Sequence, residues 1–165
     1  MNSLSDAIKE AFAIAPSNVV VLHTLTVEQE GVQDPVYLVQ SRGTVEAVDE
    51  NGFTRSYRPS GFAFSLPPSN EEGFRNLNIT IDNTTREVSD FIDVAKGSMV
   101  PITITYRPYL STDLTTPHMI PPLVLYLKDV QITANTVSGK ATFMDIVNKK
   151  FPSEIYTREK FPTLA

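Results

Sequence analysis

The chain has 165 residues, of which 41% are hydrophobic and 20% are charged, and it contains no cysteine. This length and composition are typical of one globular domain with a sizeable core. The lack of cysteine excludes a disulfide scaffold, a thiolate metal site and a cysteine nucleophile. The net charge of −5 argues against a nucleic-acid partner, because nucleic-acid-binding surfaces carry an excess of basic residues.

Membrane and secretion signals are not expected in this sequence. No apolar run approaches the roughly 20 residues that a membrane-spanning helix needs. The first six residues lack a basic region followed by an apolar run, so we expect no signal peptide.

The first predicted element is a helix over residues 3–14. Ser3 and Asp6 resemble a capping box, and Pro16 ends the helical pattern. Because the helix has a single apolar stripe, we expect it to lie on a sheet or on another chain. The stripe consists of Leu4, Ile8, Ala11, Phe12 and Ala15.

Short runs of alternating apolar and polar residues then predict a series of β-strands. Asn51-Gly52 separates two of these runs and is typical of a hairpin turn. His23, within the first run, is interpreted as a satisfied core or rim residue and not as a ligand. The strands predicted in the first half of the chain span residues 18–27, 36–40, 44–48, 53–57 and 62–66.

The second half continues this pattern around one more helix, predicted over residues 84–96. Its apolar stripe of Val88, Phe91, Ile92 and Ala95 has helical spacing, and Gly97 fits its end. Strands are predicted over 77–82 and 100–107, the second of them ended by Pro108. Residues 110–122 are rich in proline and form a loop of a length often associated with function.

Residues 123–134 change their alternation midway. Leu123, Leu125 and Leu127 share one face, whereas Val130 and Ile132 take the opposite parity. Such a switch indicates a β-bulge, or a strand that leaves one sheet and joins another. A strand over 137–147 is predicted to pair with it.

These elements predict a mainly β domain over residues 1–147, with two short helices and no strand–helix alternation. The expected fold class is α+β, with an antiparallel two-sheet β-sandwich or a split barrel.

The final segment, residues 148–165, fits neither a helix nor a strand but is rich in large apolar side chains. Burying one such side chain contributes roughly 1.5–3 kcal/mol, so an exposed tail would not be expected to carry several of them. Two Phe-Pro pairs favour an extended backbone. We predict that this segment docks on a neighbouring subunit or another protein, the alternative being its own domain. The predicted contact residues are Phe151, Ile155, Tyr156, Phe161 and Leu164.

No motif for catalysis or cofactor binding is recognised in the sequence. The glycines are isolated, so no phosphate-binding loop is predicted, and His23 and His118 are too far apart in sequence to suggest a metal pair. Glu87, Asp90 and Asp93 share one face of the second helix, and we interpret them as a solvated face in preference to a cation site. We therefore expect no enzyme activity, no cofactor and no metal.

Several segments together resemble a family of minor tail or baseplate proteins encoded in the tail-gene modules of long-tailed bacteriophages and prophages. The most specific parts are Tyr106 to Leu114 and the Phe-Pro…Tyr…Phe-Pro-x-Leu ending. The family tends to end in Phe-Pro-Gly-Leu, where this chain has Thr163. The matching segments are residues 4–12, 22–25, 79–87, 104–114, 121–123 and 148–164.

The resemblance implies a structural role at the tail tip of the virion, similar to that of distal tail proteins and of the lambda minor tail protein M. It implies a homo-oligomeric, hexameric ring that joins the tail tube to the central hub. The implied partners are other copies of the chain and the tail tube and hub proteins. The implied location is the virion, after synthesis in the host cytoplasm, and the family has no catalytic residues to transfer.

Two other classes of function are considered. A β-sandwich module that binds a host receptor or carbohydrate usually exposes aromatic rings for stacking, and the absence of tryptophan weighs against it. A cell-wall hydrolase needs a convergent acid, base or metal set, which this sequence does not assemble.

Overall fold

The computed structural model describes residues 3–14, 18–65, 76–83 and 85–143. They form a mainly β fold with two helices, which confirms the predicted fold class. The helices are α1 (Asp6–Ile14) and α2 (Glu87–Ala95). The strands are β1 (Ser3–Leu4), β2 (Val21–Glu28), β3 (Val36–Val39), β4 (Val45–Val48), β5 (Thr54–Pro59), β6 (Phe62–Ser65), β7 (Asn76–Asp82), β8 (Ile102–Leu110), β9 (Met119–Ile120), β10 (Leu123–Ile132) and β11 (Thr136–Phe143). Neither helix is long and apolar enough to span a membrane.

Nine of these strands form one mixed sheet in the order β4-β5-β3-β2-β8-β10-β11-β7-β6. All neighbouring strands are antiparallel except β3 and β5, which are parallel. Strands β1 and β9 form a separate antiparallel ribbon. The predicted antiparallel pairing therefore holds for the sheet with this one exception.

The sheet is strongly curled, so that its two edges approach each other. Only two residues connect β5, next to one edge of the sheet, with β6, which is the other edge strand. The Gln40 side-chain amide donates a hydrogen bond to the carbonyl of Phe62 in β6. The rings of Phe64 in β6 and Tyr106 in β8 also meet edge to face, at 6.1 Å between centroids. The nine strands thus form a single open, mixed sheet and not the expected two-sheet sandwich, within the predicted α+β class.

The main hydrophobic core lies on one face of the sheet, where α2 packs. The α2 stripe that the sequence predicts is confirmed, since Val88, Phe91, Ile92 and Ala95 are all buried. The strands contribute Leu25, Val27, Leu38, Phe62, Ile79, Ile81, Ile104, Leu125, Leu127, Val137 and Ala141.

A second, smaller core lies under the β4–β5 hairpin. Val39, Ala47, Tyr57 and Tyr109 form it, and the Tyr109 hydroxyl donates a hydrogen bond to the Val48 carbonyl at 2.9 Å. Because Ile104 belongs to the main core and Tyr109 to the second, β8 is buried on both faces.

The β4–β5 hairpin turns at Asn51-Gly52, as predicted. Gly52 has φ of 84°, a value that favours glycine. Asp49 Oδ1 accepts hydrogen bonds from the amides of Asn51 and Phe53, both at 2.9 Å. Burial raises the pKa of Asp49, but hydrogen bonds from Phe53 and Arg55 outweigh burial, so its pKa is lowered overall.

The prediction that Pro108 ends its strand is wrong, because β8 continues to Leu110. The Pro108 carbonyl accepts a hydrogen bond from the His118 amide at 2.9 Å. The carbonyl and the amide nitrogen of one strand residue point to the same side, so the N–H that proline lacks would also face His118. On that side β10 pairs with β8 only as far as Tyr106. Proline is tolerated here because no ladder hydrogen bond is lost.

Both predicted helices start too early. Ser3 and Leu4 pair with β9 instead of entering α1, and the Ser5 amide donates to the His118 carbonyl at 2.8 Å. The second helix begins at Glu87, because Arg86 has φ of 59° and lies outside the helix. The spacing of apolar residues could not reveal the contacts at the start of α1, because their partners, residues 118–120, lie far along the chain.

The predicted change of parity in residues 123–134 is confirmed as a β-bulge. The register between β10 and β11 shifts between Lys128 and Gln131, and Asp129 has φ of 52°. Gly139 lies opposite this bulge, where a Cβ would come within 2.8 Å of Leu127 Cδ1 and 3.0 Å of the Lys128 carbonyl oxygen. The bulge therefore requires a residue without a side chain on the partner strand.

We predict that Gly139→Ala lowers the free energy of unfolding by about 1–3 kcal/mol, because backbone atoms must move to admit the methyl group. Urea denaturation measures this change. Gly43→Ala is the matched control, since a Cβ there meets no atom within 4 Å, and it should leave stability nearly unchanged. Equal stability of the two variants would contradict the prediction.

Candidate interaction surfaces

A groove lies between α2 and the segment that links β2 to β3. Its volume is about 510 Å³, and a second cavity of about 480 Å³ adjoins it and shares Val32 and Val94. Phe91 is buried beneath it, whereas Val94 is 68% exposed. Together these two cavities are called the α2 groove. Its apolar lining consists of Val32, Pro35, Val36, Tyr37, Phe91 and Val94.

The border of the α2 groove is acidic. Glu30, Asp34, Glu87 and Asp90 all line it. Arg58 forms an ion pair with Glu87. Among the described residues, the carboxylates of Glu30, Asp34 and Asp90 have no ion-pair partner, so the groove carries an excess of negative charge.

The interpretation of Glu87, Asp90 and Asp93 as a solvated face agrees with their surroundings. Glu87 pairs with Arg58, and Asp93 Oδ1 lies 2.8 Å from Lys96 Nζ. Within the part of the chain that the structure describes, no group of three or more histidine, aspartate or glutamate side chains is arranged to hold a metal ion.

A second apolar surface is formed by α1. Ile8 is completely buried, but Phe12 is 57% exposed and Ile14 is 65% exposed. Ile120, in the strand that pairs with β1, is also exposed. Phe12, Ile14 and Ile120 are called the α1 surface. The helix stripe that was predicted to be covered is therefore only partly covered within the described chain.

The α1 surface is fixed to the sheet through His118. The Ser5 hydroxyl lies 2.8 Å from His118 Nδ1, and the Ser5 carbonyl accepts from the Lys9 amide at 3.2 Å in the first turn of α1. The His118 amide in turn donates to Pro108 of β8. These bonds also order part of the Pro-rich segment 110–122, which the sequence predicted only as a loop.

The α1 surface and the α2 groove lie at opposite ends of β2 and β8. Val21 pairs with Leu110 at the end near Pro108 and His118, whereas Glu28 pairs with Thr103 at the other end. At that second end, the Gln29 side chain donates a hydrogen bond to the Val100 carbonyl, in the chain that follows α2. The eight residues of β2 separate the two ends by roughly 23 Å.

An apolar cavity of about 490 Å³ opens beside His23 and Tyr106. His23 Nδ1 lies 2.7 Å from the Tyr106 hydroxyl, and the two rings stack with centroids 5.9 Å apart. Burial lowers the pKa of His23 and raises the pKa of Tyr106 to about 12, so both side chains are neutral at pH 7. His23 is thus a satisfied rim residue, as predicted. The apolar lining includes Phe62, Phe64, Leu77 and Leu123.

Arg107, in the most specific part of the sequence resemblance, forms a bidentate ion pair with Glu50. Its Nε lies 2.6 Å from Glu50 Oε2 and its Nη2 lies 2.7 Å from Oε1. Its Nη1 donates to the Thr26 hydroxyl at 3.0 Å. The hydrogen bond from Arg107 lowers the pKa of Glu50 in spite of burial. This pair joins the β4–β5 hairpin to β8, so Arg107 has a structural role inside the domain.

The five contact residues predicted from the sequence, Phe151, Ile155, Tyr156, Phe161 and Leu164, lie outside the described residues. Their role stays a prediction.

The sequence did not predict the α2 groove, although Val94, outside the apolar stripe of α2, was a signal for it. The linker on the opposite wall, residues 30–35, is mostly polar and has no periodicity that would indicate a groove.

Comparison with known proteins identifies the family. The model of a family described as a domain of unknown function, DUF1833, matches residues 7–156. The chain belongs to the DUF1833 family. The match includes α1 apart from its first residue, all of α2, the whole nine-stranded sheet and the first part of the C-terminal segment, as far as Tyr156. No curated protein matches the chain.

We predict that Glu50→Gln lowers the free energy of unfolding by about 3 kcal/mol, because it leaves the buried Arg107 guanidinium without a countercharge. Chemical denaturation of both proteins at neutral pH measures the loss. Glu46→Gln, on the exposed side of β4, is the control and should change stability by no more than about 0.5 kcal/mol. A similar small effect at both positions would show that the ion pair does not hold the hairpin.

We also predict that His23 makes stability depend on pH. Burial lowers the pKa of His23 below 6.5, so the His23 ring binds a proton more readily in the unfolded chain than in the folded chain. Its contribution is complete above pH 6.5 and is lost as the pH falls toward the lower folded pKa. Urea denaturation at pH 7.5 and 5.5 should therefore show a smaller loss for His23→Gln than for wild type. Equal losses would refute this assignment, with His118 present in both proteins as an internal control.

Proposed function

We propose that this DUF1833 chain is a structural subunit of a bacteriophage tail tip or baseplate. It forms a hexameric ring that joins the tail tube to the central hub, and it works by contacts and not by catalysis. The sequence resemblance to tail-module proteins supports the viral setting. The structural observation that carries the proposal is the separation of two different apolar surfaces at opposite ends of β2 and β8.

A cyclic ring requires such a pair of surfaces. In a head-to-tail ring each subunit uses one patch toward one neighbour and a different patch toward the other. The α1 surface exposes Phe12 and Ile14, and the α2 groove exposes Val94. Aromatic anchors such as Phe12 often contribute much of the binding energy of an interface. The ring order of six comes from the resemblance, since tail tubes are commonly six-fold.

The remaining partners are the tail tube and tail hub proteins. The C-terminal segment, residues 148–165, supplies extended and apolar contacts either to them or to the next copy. In this proposal the curled sheet is a rigid support, and the α1 surface and the α2 groove contact the neighbouring proteins.

We predict that the chain occurs in purified virions as a closed six-fold ring at the tail tip, visible by cryo-electron microscopy. Deletion of residues 150–165 should leave a cooperative thermal transition but stop incorporation into tails, because the segment contacts neighbours. Phe53→Ala, at the β4–β5 hairpin, is the control and should be incorporated normally.

Two results would contradict the proposal. One is a monomeric or non-cyclic arrangement of the chain in the virion, or its absence from the tail. The other is loss of the cooperative transition in the truncated protein, which would assign the segment to the core of its own domain.

A further inference from the structure

We propose that the α2 groove binds residues 148–165 of a neighbouring copy of the chain. This inference rests on the proposed assembly into a ring and names the contact that builds it. Three features of the chain support it: the chemistry of the groove, the chemistry of the segment, and the direction in which the described chain ends.

The groove offers an apolar floor with an acidic border. Phe91, Val94 and Val32 provide apolar surface, and beside it lie the carboxylates of Asp34 and Asp90, which form no ion pair within the described residues. Its two cavities have the size typical of sites that take several large groups. Such a groove suits an occupant with aromatic anchors and positive charge.

The C-terminal segment has this composition. Its apolar anchors alternate with four basic residues and two acidic ones, which gives it a charge of +2 within a chain of net charge −5. The segment is therefore complementary in charge to the groove, which favours their association. The basic residues are Lys149, Lys150, Arg158 and Lys160.

The direction of β11 indicates that the occupant comes from another copy. Both β8 and β11 are antiparallel to β10, so β11 runs in the same direction as β8, toward the end of the sheet where Leu110 lies. Its last residue, Phe143, pairs with Leu125, which in turn pairs with Ile104, so β11 ends just past the level of Thr103. The α2 groove lies at the Thr103 end, on the side of Val100. The chain is thus heading away from its own groove where β11 ends.

This arrangement gives each subunit one donor and one acceptor. A segment of one copy in the groove of the next copy makes a heterologous contact, which closes into a ring when the rotation per subunit fits. The α1 surface lies at the end of the sheet toward which β11 runs and can contribute to the same interface.

Cysteine crosslinking of the full-length chain tests the contact, because the chain contains no native cysteine. Val94→Cys and Tyr156→Cys are made as separate proteins, mixed, and treated with a short bismaleimide. We expect a crosslinked heterodimer, and we expect the Val94→Cys/Tyr156→Cys double variant to form multimers. Phe53→Cys replaces Val94→Cys in the control, since Phe53 is exposed but does not line the groove, and it should give no product above background.

Charge exchange supplies a second measurement. Asp34→Lys/Asp90→Lys and Lys149→Glu/Lys150→Glu should each reduce the crosslink about fivefold, and mixing the two reversed proteins should restore it. Circular dichroism checks that each variant is folded.

Failure of this inference and failure of the proposed function give different results. Crosslinking confined to single chains of the double variant would show that the segment binds its own groove and would overturn the inference, as would a yield no higher than that of the Phe53→Cys control. A ring in the virion without this crosslink would refute the inference alone. Crosslinking of a chain that is absent from virions would refute the proposed function alone.

Discussion

Strand β8 is the constraint on which the rest of the structure depends, because it is buried on both faces. Ile104 lies in the core that α2 covers, and Tyr109 lies in the core that the β4–β5 hairpin covers. A strand buried on both faces must place apolar residues at both parities. It must also pair any charge it carries, which Arg107 does with Glu50. The hairpin and α2 are thus held on opposite sides of one strand.

Strand β8 is covered on both sides, and two exposed apolar surfaces lie near its two ends. The sheet holds the α1 surface and the α2 groove about one strand length apart. The bonds from Ser5 to His118 fix the first surface, and packing of Phe91 and Ile92 fixes the second. In the ring that we propose, this support sets the spacing between the two neighbours of a subunit.

Much of the local structure followed from the sequence. The stripe of α2, the turn at Asn51-Gly52 and the bulge near Asp129 were predicted, because each depends on residues close together in the chain. The strand boundary at Pro108 was not. Proline is acceptable there only because β10 stops pairing with β8 at Tyr106, and that limit is set by tertiary structure.

The candidate surfaces, too, depend partly on the sequence and partly on the tertiary structure. By itself the sequence determined a mainly β domain with two helices, a satisfied His23 and an apolar C-terminal segment, since composition and periodicity report which side chains require burial. Only the tertiary structure decided that Val94 and Val32 line one groove, that Phe12 stays exposed, and that these surfaces lie at opposite ends of β2. The physical reason is that a groove forms between elements distant in sequence, and neither element alone carries a pattern that reveals the other.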